Sequence, residues 1–262
     1  MRLDLYLVEN GIIKSRERAK EHIKNGEIKV NDKVVTKAAY DTSADDKVEF
    51  IGTALQYVGR GGLKLEKAIK CFKLDLNGKT CLDIGASTGG FTDCMLKNGA
   101  SKVYAVDVGH GQLDESLIAD DRVINMEKTN IVNTDISDFE PAPDFISCDV
   151  SFVSLKTILP KAAEFLSKNQ EAVFLIKPQF EAGKSNIGKN GIVKDRKVHI
   201  NVLNDLIMFC NDIGLSIIDL DFSPISGGDG NIEYLAHIVH KTERTIFFNI
   251  KKLVNDAFEK LK

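Results

Sequence analysis

The stretch LDIGASTGGFTD, residues 82–93, sets a glycine-rich turn directly behind a short apolar run. A strand that runs into such a turn and then into a helix opens an α/β sheet domain, and the turn is where such a domain holds its ligand. Three ligands make different demands on it. A dinucleotide fingerprint needs G-x-G-x-x-G, and here Ser87 stands two places after Gly85. A phosphate-binding loop needs G-x-x-x-x-G-K-[ST]. Gly85 and Gly90 have that spacing, but Phe91 occupies the lysine position. An adenosyl amino acid carries no phosphate, so backbone N–H groups brought close by glycine suffice. The turn therefore favours S-adenosylmethionine over either nucleotide class.

Outward from the turn, strand-like and helix-like runs alternate. The strand-like runs are TCLDIG, KVYAVDV, RVINME, DFISCDV, EAVFLIK, SIIDLDF and EYLAHIVH. Between them lie amphipathic stretches such as FTDCMLKNG, SLKTILPKAAEFLSK and VHINVLNDLIMFCNDIG. This rhythm predicts a Rossmann-like doubly wound α/β sheet of seven strands. A short loop joins the last two strands, which predicts an antiparallel pair and a reversed edge. The tail IFFNIKKLVNDAFEKLK has apolar residues at helical spacing and reads as a terminal helix. KVYAVDV ends in Asp107, about 20 residues past the glycine turn, where an acid can bind ribose hydroxyls; the alternative is a cap on the next turn.

The first sixty residues follow another pattern. LDLYLVENG and SRERAKEHIKNG read as short helices ended by Gly11 and Gly26, the second with Ser15 as N-cap. EIKVNDKVV reads as a hairpin turning at Asn31 and Asp32. Arg16, Lys20 and Lys24 recur every four residues and share a helix face. Residues 1–38 hold nine Lys or Arg against six Asp or Glu. That stripe can meet a phosphate backbone, or it is a solvated face balanced by Glu17 and Glu21. The expected organisation is a small α+β domain over 1–50, a linker over 51–62 (opening IGTALQYV) and the sheet domain over 63–262.

Composition sets the outer bounds. The chain has 262 residues, 43% hydrophobic, with formal net charge -3, so any basic surface is local. Its five cysteines are odd in number and lack CxxC spacing, which argues against a disulfide framework and a zinc site and fits a reducing cytoplasm. No apolar run nears the roughly 18 residues of a membrane span, and no signal-peptide core opens the chain. A cytoplasmic monomer with no membrane partner is expected.

GRGGLKL, LDIGASTGGFTD, AVDVGHGQL, CDVSFVSL, LIKPQFEAGK and GNIEYL, in this order behind a small basic domain, resemble the TlyA family across nearly the whole chain. That family is one of ribosomal RNA 2′-O-methyltransferases with an FtsJ-like catalytic domain and an N-terminal RNA-binding domain like that of ribosomal protein S-four. The resemblance implies a Lys-Asp-Lys-Glu tetrad at Lys64, Asp149, Lys177 and Glu233. It implies cofactor contacts at Asp83, Gly85, Ser87, Thr88, Gly89, Gly90, Phe91 and Asp107, with Asp135 and Asp149 near the adenine or methionine end. It turns the stripe of Arg16, Lys20 and Lys24 into an RNA contact, joined by Arg60 and Lys184 near the catalytic mouth. The partner it implies is ribosomal RNA in assembled subunits, with cytidine as the target, and S-adenosylhomocysteine as product. Gly59, Lys128 and Val132 depart from the family's usual residues at their positions. Three other functions compete. A non-catalytic RNA-binding or assembly protein would show a damaged tetrad or turn, and neither is damaged. A membrane-active haemolysin, a label the family often carries, would need a spanning or surface-inserting segment. A methyltransferase of proteins or small molecules has no use for the front domain.

Overall fold

The computed structural model describes every residue except 14, 44, 53–55, 167–169, 189, 243–245 and 262. The ends of the stretches read as SLKTILPKAAEFLSK and as the terminal helix, and the middle of the 51–62 linker, lie outside the described residues. The chain divides into two compact units, Met1–Leu55 and Gln56–Lys262.

In the first unit, α1 (Leu3–Glu9) and α2 (Arg16–Lys24) precede β1 (Ile28–Val30), β2 (Lys33–Val34) and β3 (Val48–Phe50). The sheet order is β2-β1-β3, all antiparallel. Asn31 and Asp32 both take positive φ (50° and 65°), the backbone that a two-residue hairpin of the favoured twist requires. Leu3, Leu7, Ile13, Ala19, Ile23, Ile28, Val30 and Val35 close a small core. At its edge Asp4 is buried and held by Arg2 and Arg16, each at 2.9 Å. The two guanidiniums pull the Asp4 carboxyl down to about 2, against the effect of burial.

The second unit opens on α3 (Gly61–Phe72), then β4 (Thr80–Ile84), α4 (Gly90–Lys97), β5 (Lys102–Val106), α5 (Glu115–Ile118) and β6 (Val123–Met126). Next come β7 (Phe145–Cys148), α6 (Leu155–Phe165), β8 (Glu171–Ile176), α7 (Pro178–Glu181), α8 (Arg196–Asp212), β9 (Leu215–Phe222), β10 (Tyr234–His240) and α9 (Ile250–Leu261). One seven-stranded sheet runs β6-β5-β4-β7-β8-β10-β9. Pairings from β6 to β8 are parallel, and β10 is antiparallel to both β8 and β9. The reversed strand is thus one place inside the edge rather than at it: β10 slots between β8 and β9. Its inner position follows from burial, since five of its seven residues are buried while the middle of β9 is not.

Alternate strand residues feed two apolar clusters. Leu82, Ile84, Tyr104, Val106, Ile146 and Phe174 belong to one, and Cys81, Val103, Ala105, Phe145, Val173 and Leu175 to the other. Both faces are therefore covered, as a doubly wound sheet demands. Among the described residues, no helix is long and apolar enough to cross a membrane.

Asp83 sits inside this sheet, fully buried. Its carboxylate accepts hydrogen bonds from Thr92 Oγ1 on α4 (2.6 Å) and Ser147 Oγ on β7 (3.0 Å). Burial is the larger influence and pushes the carboxyl from 3.8 up to about 7. A folded-state value above the unfolded one means that the retained proton stabilises the fold fully below the unfolded value. That contribution is lost as pH rises through about 7. Asp83→Asn keeps a carbonyl acceptor and does not titrate. Relative to the wild type it is expected to gain about 3 kcal/mol in stability between pH 5 and pH 8. Urea melts of both proteins at the two pH values check this, and a stability difference that stays flat contradicts it.

Candidate active site

Four charged side chains converge at the C-terminal ends of the central strands. Asp149 directly follows β7 and Lys177 directly follows β8, Glu233 immediately precedes β10, and Lys64 lies on the first turn of α3. Because β10 runs backwards, its start lies at the same end of the sheet as the ends of β7 and β8. Asp149 is shared: Oδ1 meets Lys177 Nζ at 2.5 Å and Oδ2 lies 3.7 Å from Lys64 Nζ. Lys64 Nζ pairs with Glu233 Oε2 at 2.7 Å. Lys64, Lys177 and Glu233 are buried, and the shared carboxylate is 18% exposed, so the cluster opens to solvent mainly there.

Two glycines permit this convergence. Gly85 has φ +82°, and a Cβ there would lie 2.8 Å from the Asp149 carbonyl oxygen. A Cβ at Gly227 would lie 2.5 Å from Glu233 Oε1. Any side chain at either position would push a carboxylate residue away from the lysines.

The electrostatics distinguish the groups. Burial alone would lower the Lys64 amine, but Asp149 and Glu233 together more than reverse it, so its value is raised. Burial raises the Glu233 carboxyl, opposed by Lys64. Lys64 is therefore held as an ammonium at neutral pH.

Beside Asp149 opens a cavity of about 500 Å³. Its wall includes Gly85, Ser87, Asp107, Asn130, Asp149 and Ser151, with the apolar Val108, Ile131, Val132 and Val150. Among the described residues, no lysine or arginine lines it. A phosphate would lack a counter-charge there, whereas a nucleoside bearing an amino acid finds acids, amides and apolar surface. The donor set thus fits an adenosyl amino acid. Asp107 accepts N–H bonds from Ser87 (2.8 Å) and Gly109 (2.7 Å), tying the glycine turn to the loop after β5. Glu127 fastens the far side of that loop by accepting the N–H groups of Gly111, Gln112 and Leu113, which hold its carboxyl down at about 2.

Of the residues expected to touch the cofactor, Gly85, Ser87 and Asp107 line the cavity, as does Asp149. The others lie elsewhere. Asp83 is buried on Thr92 and Ser147. Gly89 caps α4 and Gly90 and Phe91 form its first turn, Phe91 being packed into the core. Thr88 is exposed, with its hydroxyl beside Gly59. Asp135 caps the 3₁₀ turn Ile136–Asp138 in a capping box. Sequence reasoning missed Thr129, Asn130, Ile131 and Val132, and the loop Val150–Val153. Phe152 in that loop is 92% exposed, with φ +64°, and packs on Phe180 at 5.2 Å between ring centroids.

The expected RNA contacts separate as well. Lys20 and Lys24 are exposed, and Arg16 is exposed but engaged by Asp4. Arg60 is half-buried at the start of α3, close enough to Lys64 to oppose its charge. Lys184 is exposed at the start of the 3₁₀ turn Lys184–Asn186.

A seven-stranded sheet of this order, with a glycine turn after its first strand and an acid after the second, defines a Rossmann-type methyltransferase. The FtsJ-like methyltransferase family profile matches residues 57–239, and the S4 domain profile matches residues 1–48. A Bacillus subtilis relative named as an rRNA methyltransferase, YqxC, is 48% identical over 90% of this chain and 85% of its own. The 16S/23S rRNA (cytidine-2′-O)-methyltransferase TlyA of Mycobacterium tuberculosis is 35% identical over 94% of this chain and 92% of its own. A solved structure from Streptococcus thermophilus, described as a hemolysin, is 44% identical and superposes with a TM-score of 0.80, covering 99% of this chain and 96% of that one. The chain belongs to the TlyA family of FtsJ-like methyltransferases, joined to an S4 domain.

Asp107→Ala removes both N–H acceptors that close the cavity wall. Hydrogen bonds to a charged group contribute about 1.5–3 kcal/mol, so S-adenosylhomocysteine affinity is expected to fall about tenfold to hundredfold. Isothermal titration calorimetry reads this, and unchanged affinity contradicts the assignment of the cavity.

Proposed function

We propose that the protein transfers a methyl group from S-adenosylmethionine to the 2′-hydroxyl of a cytidine ribose in ribosomal RNA, acting in the cytoplasm as a monomer on ribosomal subunits. One observation carries the reading: Asp149 meets both Lys177 and Lys64 at the rim of a cavity whose wall, among the described residues, holds no lysine or arginine. The name of the M. tuberculosis relative supports the substrate, and the S4 match over residues 1–48 supports an RNA partner.

When bound, S-adenosylmethionine supplies a methyl carbon made electrophilic by its sulfonium. Gly85, Ser87 and Asp107 would hold it, with Asp107 toward the ribose. The chain's own task is to make a ribose hydroxyl nucleophilic. Lys177 acts on that hydroxyl, as the acceptor of its proton or as an N–H donor to the developing alkoxide. Asp149 orients the Lys177 amine from the strand next door. Glu233 holds Lys64, and the ammonium of Lys64 balances the Asp149 carboxylate so that the carboxylate is not left as an unpaired buried charge. Lys20 and Lys24 would meet RNA phosphates in the first unit, and Arg60 and Lys184 in the second.

Lys177→Met keeps the length of the side chain and removes the amine. It is expected to lower the methyl-transfer rate to ribosomal subunits by about a hundredfold or more while S-adenosylhomocysteine binding survives. Labelled-methyl transfer, with nucleoside mass spectrometry to identify 2′-O-methylcytidine, reads the outcome. A variant that methylates at the wild-type rate removes Lys177 from the chemistry.

A further inference from the structure

Lys177 has a second partner besides the carboxylate: its Nζ donates to Ser151 Oγ at 2.8 Å. We infer that Ser151 is a positioning residue, whose hydroxyl, together with the Asp149 carboxylate, fixes the direction of the Lys177 amine toward the ribose hydroxyl. The inference rests on the reaction proposed above.

The amine nitrogen carries one carbon and three other positions. In the neutral form these are two N–H bonds and a lone pair. One N–H is committed to Ser151 Oγ and the Asp149 carboxylate stands against the amine as an ion pair at 2.5 Å, which leaves the lone pair a direction away from both. In the charged form that direction carries an N–H. Either way the group that meets the hydroxyl is aimed by the same two neighbours, a carboxylate in ion-pair contact and a neutral hydroxyl that accepts a hydrogen bond. Lys64 is held differently, by two carboxylates. The two lysines are thus built for different duties, and the identity of residue 151 separates them.

The surrounding backbone makes the aim rigid. Asp149 and Ser151, two residues apart in one loop, both reach the Lys177 amine. Phe152 then turns the chain with a left-handed φ of +64°, a conformation that a non-glycine residue keeps only where the surroundings impose it. Those surroundings are the turn that carries Lys177. Phe180 packs against Phe152. Glu181 accepts hydrogen bonds from Ser154 Oγ at 2.6 Å and from the Leu155 N–H at 2.7 Å. The loop after β7 is therefore fastened to the turn after β8 at three successive places, and the Ser151–Lys177 bond is the one nearest the reacting atoms. Ser151 itself is exposed and lies in the cavity wall, so its substitution tests aim without opening the core.

The test compares Ser151→Ala and Ser151→Thr in the full chain, with Lys177→Met as the reference for a lost amine. Misplacement of a reacting group by about 1 Å costs on the order of a hundredfold. Ser151→Ala is expected to lower kcat for transfer to ribosomal subunits about tenfold to hundredfold, with KM for the subunits and affinity for S-adenosylhomocysteine unchanged. Ser151→Thr, which restores the hydroxyl, is expected to recover most of the loss. A wild-type kcat in Ser151→Ala beside an inactive Lys177→Met overturns the inference and leaves the proposed reaction standing. A raised KM at constant kcat also overturns it, making Ser151 a substrate contact. Failure of Ser151→Thr to recover activity overturns the role of the hydroxyl. A fully active Lys177→Met removes the proposed reaction and this inference together.

Discussion

The site depends on one carboxylate serving two amines. Asp149 meets Lys177 with one oxygen and faces Lys64 with the other, and Glu233 completes the set from the far side of Lys64. Taking four ionised groups out of water costs several kcal/mol for each one left unpaired. Such a cluster persists only if each charge has its partner within reach. That requirement disciplines the whole domain, because the four residues come from four separate elements and none can shift alone.

The sheet meets the requirement through its order. Parallel neighbours β4, β7 and β8 bring Asp149 and Lys177 out at adjacent strand ends. Insertion of the reversed β10 beside β8 places its first residues at that same end, which brings in Glu233. Packing of α3 against α4 adds Lys64. The cavity shares the edge because the glycine turn leaves β4 there, and Asp107 and Glu127 pin the loop that walls it. Cofactor pocket and charge cluster thus meet at Asp149, which lines the first and joins the second.

The sheet was legible in the sequence because strands buried on both faces read as unbroken apolar runs. The antiparallel pair at the end was legible from its short connection. Which member takes the inner place was not, since a hairpin is silent about its neighbours. Helix α3 escaped local reading because it opens on Gly61 and Gly62, poor helix formers, and is held by packing against α4. The glycine turn was legible as a ligand turn but not residue by residue. Strand alternation turns Asp83 inward onto Thr92 and Ser147, and Gly90 and Phe91 are taken up by the start of α4. The loop residues 129–132 and 150–153 line the cavity, and nothing in their side-chain chemistry announces it. Lys64, Asp149, Lys177 and Glu233 were reached through ordered motifs, because no local pattern reports that residues 64 and 233 meet.

The central claim is that cofactor and charge cluster share one edge of the sheet. A crystal structure of the protein with S-adenosylhomocysteine measures this directly. The ligand is expected in the cavity beside Gly85 and Asn130, with its ribose hydroxyls on Asp107 and its sulfur toward Asp149 and Lys177. A ligand bound elsewhere, or with its sulfur turned away from Lys177, would contradict it.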